Sequence, residues 1–372
     1  VDVTIEAGIA AIKRGDAAGA EAIFRRILAA EPSRAQALHG LGKALQDQKQ
    51  LEQSLLAFEA AGQAESTPHL GAYHAGLVRL LMGDHARGWP GWEARRLLPG
   101  LGFAQLHLPF WQGGPIPGAR LLILAEQGIG DVVQFARFLP AVAARSGAAV
   151  TFGCAPPLHL LLQPFCRAHG IASVTGQINP LGFDQFAWIG SLAHLLGEPP
   201  ASWGALVPYL RPEPARAAMW RRRRPRGARC VGLCWEGRAT HPQDAQRSLP
   251  PAALLPLAGQ GAVTVGLQRP PLRGIPPEAL LDMDWGPDMT DLADTLAMLS
   301  VLDAVVTVDT SIAHLAGALG VPCWVLLPWV PDWRWGLHGE ATPWYPGMTL
   351  LRQTQAGDWT GPVARAAAAL RA

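Results

Sequence analysis

At 372 residues the chain is long enough for two or three domains, each with a core of its own. Charged residues make up 16% of it and the formal net charge is +2, values that exclude a charge-driven nucleic-acid binder and a disordered chain. Although 49% of the residues are hydrophobic, no uninterrupted apolar run approaches the roughly 18 residues of a membrane span, so a soluble protein is expected. The chain begins at Val1 rather than Met, which leads to the expectation of a processed or trimmed product.

Residues 1–98 carry an internal repeat with a spacing of 34. Gly8, Gly42 and Gly76 recur at that interval, as do Phe24, Phe58 and Trp92. Gly15, Lys49 and Gly83 fall at the turn between two helices of each copy, and the small residues Ala20, Ser54 and Gly88 follow. The pattern resembles the tetratricopeptide repeat, a helix–turn–helix in which small residues let the helices approach and the aromatic fills the gap. Pro90 degrades the third copy. Such an array is expected to offer a protein-binding or dimerising surface, or to be a helical cap on the next domain.

Residues 99–118, with Pro99, Pro109, Pro115 and Pro117, read as a linker. The span 119–225 then reads as an α/β domain. An apolar strand over 120–125 and a turn over 126–131 lead into a helix from Val132 to Arg145. Strands at 148–153 and 171–175 enclose a helix over 157–169, and a helix over 215–224 stops at Pro225. The pattern restarts in 226–372 with a strand over 229–235. Strands over 263–268, 304–309 and 323–327 alternate there with helices over 251–258, 290–302 and 311–319, and an alanine-rich helix over 361–371 closes the chain.

The stretch 305–322 holds the most chemistry. A β-branched run breaks at Asp309-Thr310-Ser311, continues at helical spacing, and ends on Gly320-Val321-Pro322. Polar turns at the carboxyl ends of parallel strands are where such sheets bind ligands, and hydroxyls with free N–H groups at a helix start favour an anion such as phosphate. An ordinary strand-to-helix turn with a good N-cap is the other reading of the same residues. Cys154, Cys166, Cys230, Cys234 and Cys323 are scattered through apolar stretches, so buried thiols of a reducing, cytoplasmic compartment are expected, and no disulfide framework or zinc site.

Two familiar nucleotide motifs are absent. Gly128 and Gly130 fit the first two glycines of G-x-G-x-x-G, but the third position is Val133, and no acidic residue stands ready to hold a ribose. No G-x-x-x-x-G-K-[ST] run occurs. The carboxylate pair Asp282 and Asp284 reads as part of a solvated loop, not a metal site.

Gly130-Asp131 after the first strand, Arg247-Ser248-Leu249-Pro250, and the run from Asp309 through His314 to Gly320 together resemble the heptosyltransferase-like family of glycosyltransferases over about residues 118–370. With the repeats in front, the layout resembles bacterial repeat-containing glycosyltransferases of family 9 type and, distantly, the O-GlcNAc transferases. The resemblance implies an α + α/β architecture, in which tetratricopeptide-like helical repeats precede a GT-B fold of two Rossmann-like domains, 119–225 on the acceptor side and 226–372 on the nucleotide-sugar side. It implies inverting transfer from a nucleotide-sugar donor without a metal or other cofactor. Asp131 matches the position of the catalytic base, with an N-cap of the helix at Val132 as its alternative role. Thr310 and Ser311 would meet one phosphate, Arg247 stands where the family carries lysine, and His314, one turn into the same helix, would donate from the same face or else hydrogen-bond within the domain. Asp309 would orient the loop or hold a donor hydroxyl, Gln268 would contact the nucleoside, and Thr240 is the best remaining phosphate contact in a turn that departs from the family pattern.

The Trp-rich stretch 328–335 follows the last core strand and is expected over the cleft mouth, where Trp329, Trp333, Arg334 and Asp332, together with Gly130, would contact sugar or acceptor, with core packing between domains as the other reading of any single tryptophan. The basic run 221–224 with Arg226 lacks aromatic platforms and reads as a solvated linker helix, so no nucleic-acid partner is expected. The expected function is therefore sugar transfer to an unidentified acceptor hydroxyl, with a protein partner or acceptor reached through the repeats and room for an oligomer. A non-catalytic scaffold whose sheet domains bind nucleotide or have degenerated is the alternative.

Overall fold

The computed structural model describes residues 4–64, 69–99, 103 and 106–371. Val1 and, within the expected linker, positions 100–102, 104 and 105 lie outside the described residues. The chain divides into two compact units, one of residues 1–104 with 330–338, the other of 105–329 with 339–372.

The first unit is a succession of antiparallel helices, α1 (Ile5–Lys13), α2 (Ala17–Ala30), α3 (Ala35–Asp47), α4 (Leu51–Ala64), α5 (His69–Leu81) and α6 (His85–Glu93), each packed on the next. The 34-residue spacing has a direct physical cause. A Cβ added to Gly8 would stand 2.5 Å from the Phe24 ring, and one added to Gly42 would stand 2.8 Å from the Phe58 ring, so the glycine of each first helix receives the aromatic of the second. In the third copy the backbones themselves close up, and a Cβ on Gly76 would meet Gly91 at 2.6 Å. The turns use the left-handed region at Gly15 (φ 80°), Lys49 (φ 59°) and Gly83 (φ 84°). Asp16 and Asp84 then accept from the Gly19 and Arg87 N–H groups to cap α2 and α6.

Residues 330–338 belong to this helical unit, which corrects the expected place of Asp332, Trp333 and Arg334. Trp333 is 7% exposed, with its ring 5.4 Å from those of both Trp89 and Trp92. The Arg334 guanidinium lies over the Trp333 ring at 4.9 Å and pairs with Asp332 at 2.6 Å. Three tryptophans bury more apolar area against one another than any would by standing open to a sugar.

The second unit is built on two all-parallel sheets. Strands β1 (Arg120–Leu124), β2 (Ala149–Gly153), β3 (Ala172–Val174) and β4 (Gln185–Trp188) lie in the order β3-β2-β1-β4. The intervening helices are α7 (Ile129–Ala136), α8 (Leu139–Ser146) and α9 (Pro156–Ala168), and α10 (Leu192–Leu196), α11 (Pro200–Trp203) and α12 (Pro214–Arg223) follow. The second sheet comprises β5 (Cys230–Cys234), β6 (Val263–Gly266), β7 (Met283–Asp284), β8 (Ala304–Val308), β9 (Cys323–Leu327) and β10 (Met348–Arg352), in the order β10-β9-β8-β5-β6-β7. Its helices are α13 (Asp244–Arg247), α14 (Leu292–Leu299), α15 (Ser311–Leu319) and α16 (Thr360–Arg371). Both sheets reverse their winding beside their first strand, at β1/β4 and at β5/β8, the places where doubly wound sheets open a crevice at their carboxyl edge.

Two expectations change and a third is refined. The helix expected from Val132 to Arg145 is two, because Pro140 cannot continue α7 and instead opens α8. The helix expected at the end of the first domain, α12, packs on α14 of the second sheet, with Trp220 Nε1 donating to Asp294 at 2.8 Å and Arg216 donating to Asp291. The carboxylates Asp282 and Asp284 are exposed, as a solvated strand end or loop requires, but they lie at the short edge strand β7, where Asp282 accepts from the Thr264 N–H and hydroxyl and Asp284 from the Gly286 N–H.

One buried cation ties the layers of this unit together. Arg137 is 2% exposed; its Nε donates to Gln134 O, its Nη1 to Trp203 O and Trp344 O, and its Nη2 to the Tyr209 hydroxyl. The rings of Trp203 and Trp344 stack with centroids 3.9 Å apart. No helix among the described residues is long and apolar enough to cross a membrane.

All five cysteines are buried and unpaired with one another. Burial pushes the Cys154 and Cys166 thiols up from 9.0 to about 12 and raises those of Cys230, Cys234 and Cys323. The unfolded chain releases these protons near pH 9 while the fold retains them, so their contribution is intact below pH 9 and is lost as pH rises towards 12. Urea unfolding should show stability falling between about pH 9 and about pH 10, and falling less in a Cys154→Ala/Cys166→Ala variant. Trp333→Ala should cost about 3–5 kcal/mol in the unfolding of the helical unit, read from its helical circular dichroism.

Candidate active site

The crevice ends of the two sheets are built alike. β1 runs into Ala125–Gly128 and then α7, and β8 runs into Asp309-Thr310 and then α15. On the first side Gln127 takes a left-handed φ of 66°, and the Gly190 N–H donates to Glu126 at 3.1 Å, joining the tips of β1 and β4. Asp131 sits in the first turn of α7, and its carboxylate accepts from the Gly128 N–H at 2.9 Å. It is the third helical residue, reaching back to the cap position, not the N-cap that a helix starting at Val132 implied.

On the second side Thr310 is the N-cap of α15. Its hydroxyl accepts from the Ile312 N–H at 3.3 Å and lies 3.3 Å from the Thr307 hydroxyl. The Ser311 N–H and hydroxyl, half-buried at the first helical position, have no hydrogen-bond partner among the described residues. Asp309 is 8% exposed and its carbonyl accepts from Arg247 Nη1 at 2.9 Å.

The two helix starts meet. A Cβ on Gly130 would stand 2.6 Å from Cδ2 of His314, and α7 packs directly on α15. His314 is 3% exposed, and its Nδ1 is 2.9 Å from the Tyr345 hydroxyl. Burial raises the Tyr345 phenol well above its usual range, so it stays protonated as the partner of the imidazole. His314 thus lies in the seam between the helices.

Two of the remaining expected residues, Gln268 and Arg247, gather around the tip of β5. Gln268 Oε1 accepts from the Glu236 N–H at 3.2 Å and from the Cys234 thiol at 3.4 Å, so its amide is fixed across the β5 and β6 tips. Arg247 pairs with Asp244, which is 2% exposed. Thr240 is exposed in the turn 238–241, and Trp329 is half-buried with its N–H donating to Gln353 at 2.9 Å. The fold therefore gathers Gly130, Asp131, Arg247, Gln268, Asp309, Thr310, Ser311 and His314 on the two crevice edges, while Asp332, Trp333 and Arg334 are packed into the helical unit.

Sequence reading missed three charged residues here. Glu236 is 7% exposed and is held by Arg273, whose Nε donates at 3.1 Å, and Arg273 also binds Asp244. Burial alone would lower the Arg273 pKa, but Asp244 and Glu236 outweigh it and leave it raised. The one available signal was position, since Arg273 lies in the loop that leaves the carboxyl end of β6.

No family model matches the chain. Among curated proteins it is similar to FlbA of Caulobacter vibrioides, with 29% identity over 392 aligned positions that cover 96% of this chain. The chain spans 65% of the length of that relative. Among solved structures it is similar to the family 9 glycosyl transferase of Veillonella parvula, at a TM-score of 0.46 and 11% identity, covering 69% of this chain and 98% of that one. It is similar to the ADP-heptose lps heptosyltransferase II of E. coli at a TM-score of 0.46 and 14% identity, covering 68% and 98%. An O-GlcNAc transferase of Thermobaculum terrenum matches at a TM-score of 0.29 and 14% identity, covering 99% and 90%.

The helix contact gives a direct test. Gly130→Ala should destabilise the protein by about 1–3 kcal/mol in urea unfolding, because its methyl group must displace the His314 ring. In a His314→Ala background the same change should cost clearly less, since the atom it strikes is gone.

Proposed function

We propose that the α/β unit is a glycosyltransferase of GT-B type that moves a sugar from a nucleotide-sugar donor to an acceptor hydroxyl with inversion. The observation that carries this reading is the contact of the first turns of α7 and α15 at Gly130 and His314. Asp131 belongs to that first turn of α7, and the Ser311 N–H at the start of α15 has no partner among the described residues. The motif resemblance over the same residues supports it.

In the proposed reaction the acceptor oxygen attacks the anomeric carbon while the bond from that carbon to the nucleotide diphosphate breaks. The hydroxyl proton passes to Asp131 in the first turn of α7. The diphosphate leaves with the bonding electron pair, and the growing charge is met by the Ser311 N–H, the α15 dipole and Arg247. Charge stabilisation of this kind needs no resident metal. Gln268, with its amide oxygen committed to Glu236 and Cys234, has its NH2 to offer the nucleoside. The helical unit would supply a surface for a protein partner or acceptor.

That Asp131 already caps Gly128 is what the scaffold reading would also require, and one substitution separates the two. Asp131→Asn keeps an oxygen for the Gly128 N–H but loses basicity. Transfer from a panel of nucleotide sugars, read by mass spectrometry of the product, should fall about 100-fold or more in Asp131→Asn, with nucleoside diphosphate affinity retained. Unchanged transfer sinks the base assignment, and a wild-type protein that binds none of ADP, UDP or GDP leaves the scaffold standing.

A further inference from the structure

Four ionised side chains crowd the end of β5: Glu236, Asp244, Arg247 and Arg273. The two carboxylates are 7% and 2% exposed, and carboxylates at such depth persist only when paired. Arg273 supplies most of the pairing. Carried by the proline-rich loop 269–277, it reaches Glu236 with its main-chain N–H at 3.3 Å and its Nε at 3.1 Å. Its Nη1 binds Asp244, and its Nη2 donates to Gly237 O at 3.3 Å and the Ser248 hydroxyl at 3.1 Å. The loop tip is otherwise open, with Ile275 92% exposed.

Arg247 shares Asp244 but more loosely, through Nε at 3.3 Å, and spends a second bond on the Asp309 carbonyl at the entry to α15. Its Nη2 lies across Gly237, where a Cβ would collide with it, and makes no hydrogen bond to a described residue. A carboxylate that is already neutralised by one guanidinium pulls less on the other. The four charges sum to zero only while Arg273 is present, and without it one net negative charge would sit beside the anion seat and draw Arg247 wholly onto Asp244.

We propose that Arg273 is a positioning residue for the donor diphosphate: by neutralising Glu236 and Asp244 it leaves Arg247 with N–H groups to give to an anion at the first turn of α15. The inference rests on reading that turn as a diphosphate seat. Loop 269–277 is then a strap whose attachment sets the affinity of the seat.

Calorimetry of ADP, UDP, GDP and inorganic pyrophosphate binding to wild type, Arg273→Gln, Asp244→Asn and the double variant tests this. Arg273→Gln should weaken diphosphate binding about tenfold or more. The double variant, with its cluster neutral again, should recover most of that loss, a suppression that a merely structural Arg273 would not show. Arg273→Lys, which keeps the charge without the fork, should lose less than Arg273→Gln and serves if the latter does not fold. Wild-type affinity in Arg273→Gln, a loss in Arg273→Lys as large as the tenfold expected of a neutral residue, or a folded double variant as weak as Arg273→Gln, overturns the proposal while the glycosyltransferase reading stands. Wild-type binding of pyrophosphate but of no nucleoside diphosphate removes that reading and lets the pyrophosphate series decide the role of Arg273. Binding of neither overturns both.

Discussion

The geometry of the α/β unit depends on a guanidinium that has almost no water. Burying the Arg137 charge costs several kcal/mol unless its donors are met, and here they are met by three carbonyls and a phenol. Those acceptors come from α7, from the end of α11, from the stretch between α11 and α12 that holds Tyr209, and from the segment that precedes β10. Moving any one of them would strand a buried charge. The aromatic faces around it, Tyr209 at 4.8 Å and Tyr345 at 4.6 Å, add an attraction that survives in a dry site. A single side chain thereby fixes α7, whose first turn carries the candidate base, relative to the segment that holds Tyr345.

From Tyr345 the constraint passes to α15. The ring lies over Gly317, where a Cβ would collide with it, and its hydroxyl meets His314 one turn earlier on the same helix face. His314 in turn fills the space that the missing side chain of Gly130 leaves. The small residues in the α15 sequence are thus a packing requirement. They let α15, whose start is the candidate anion seat, come against α7, whose first turn carries Asp131, with His314 in the seam.

Local signals made part of this legible. The bounds of β8 and α15 follow from a β-branched run, a threonine cap and a glycine at φ 75°, each readable within a few residues. The repeat was legible for the same reason, since Gly8 and Phe24 or Gly42 and Phe58 are close in sequence as well as in space. Arg137 was not, because the acceptor in Trp344 lies 207 residues away and nothing near Arg137 announces it. Trp333 was misplaced because an aromatic run next to a core strand says that the rings will be buried, not against which partner. The charged cluster escaped because Glu236, Asp244 and Arg273 each look like a solvent-facing loop residue when read alone.

The same cluster is a way to concentrate cations beside the proposed anion seat. Two bare guanidinium groups at close range repel each other and would splay into solvent. Interposing Asp244 lets both approach, and burying it at 2% exposure keeps the pair from being screened by salt. The carboxylates cancel charge at a distance, while the individual N–H groups of Arg247 still point where the main chain of Asp309 directs them. A seat of this kind would be neutral overall yet rich in oriented donors, which is the arrangement that discriminates a diphosphate by geometry and not by charge alone.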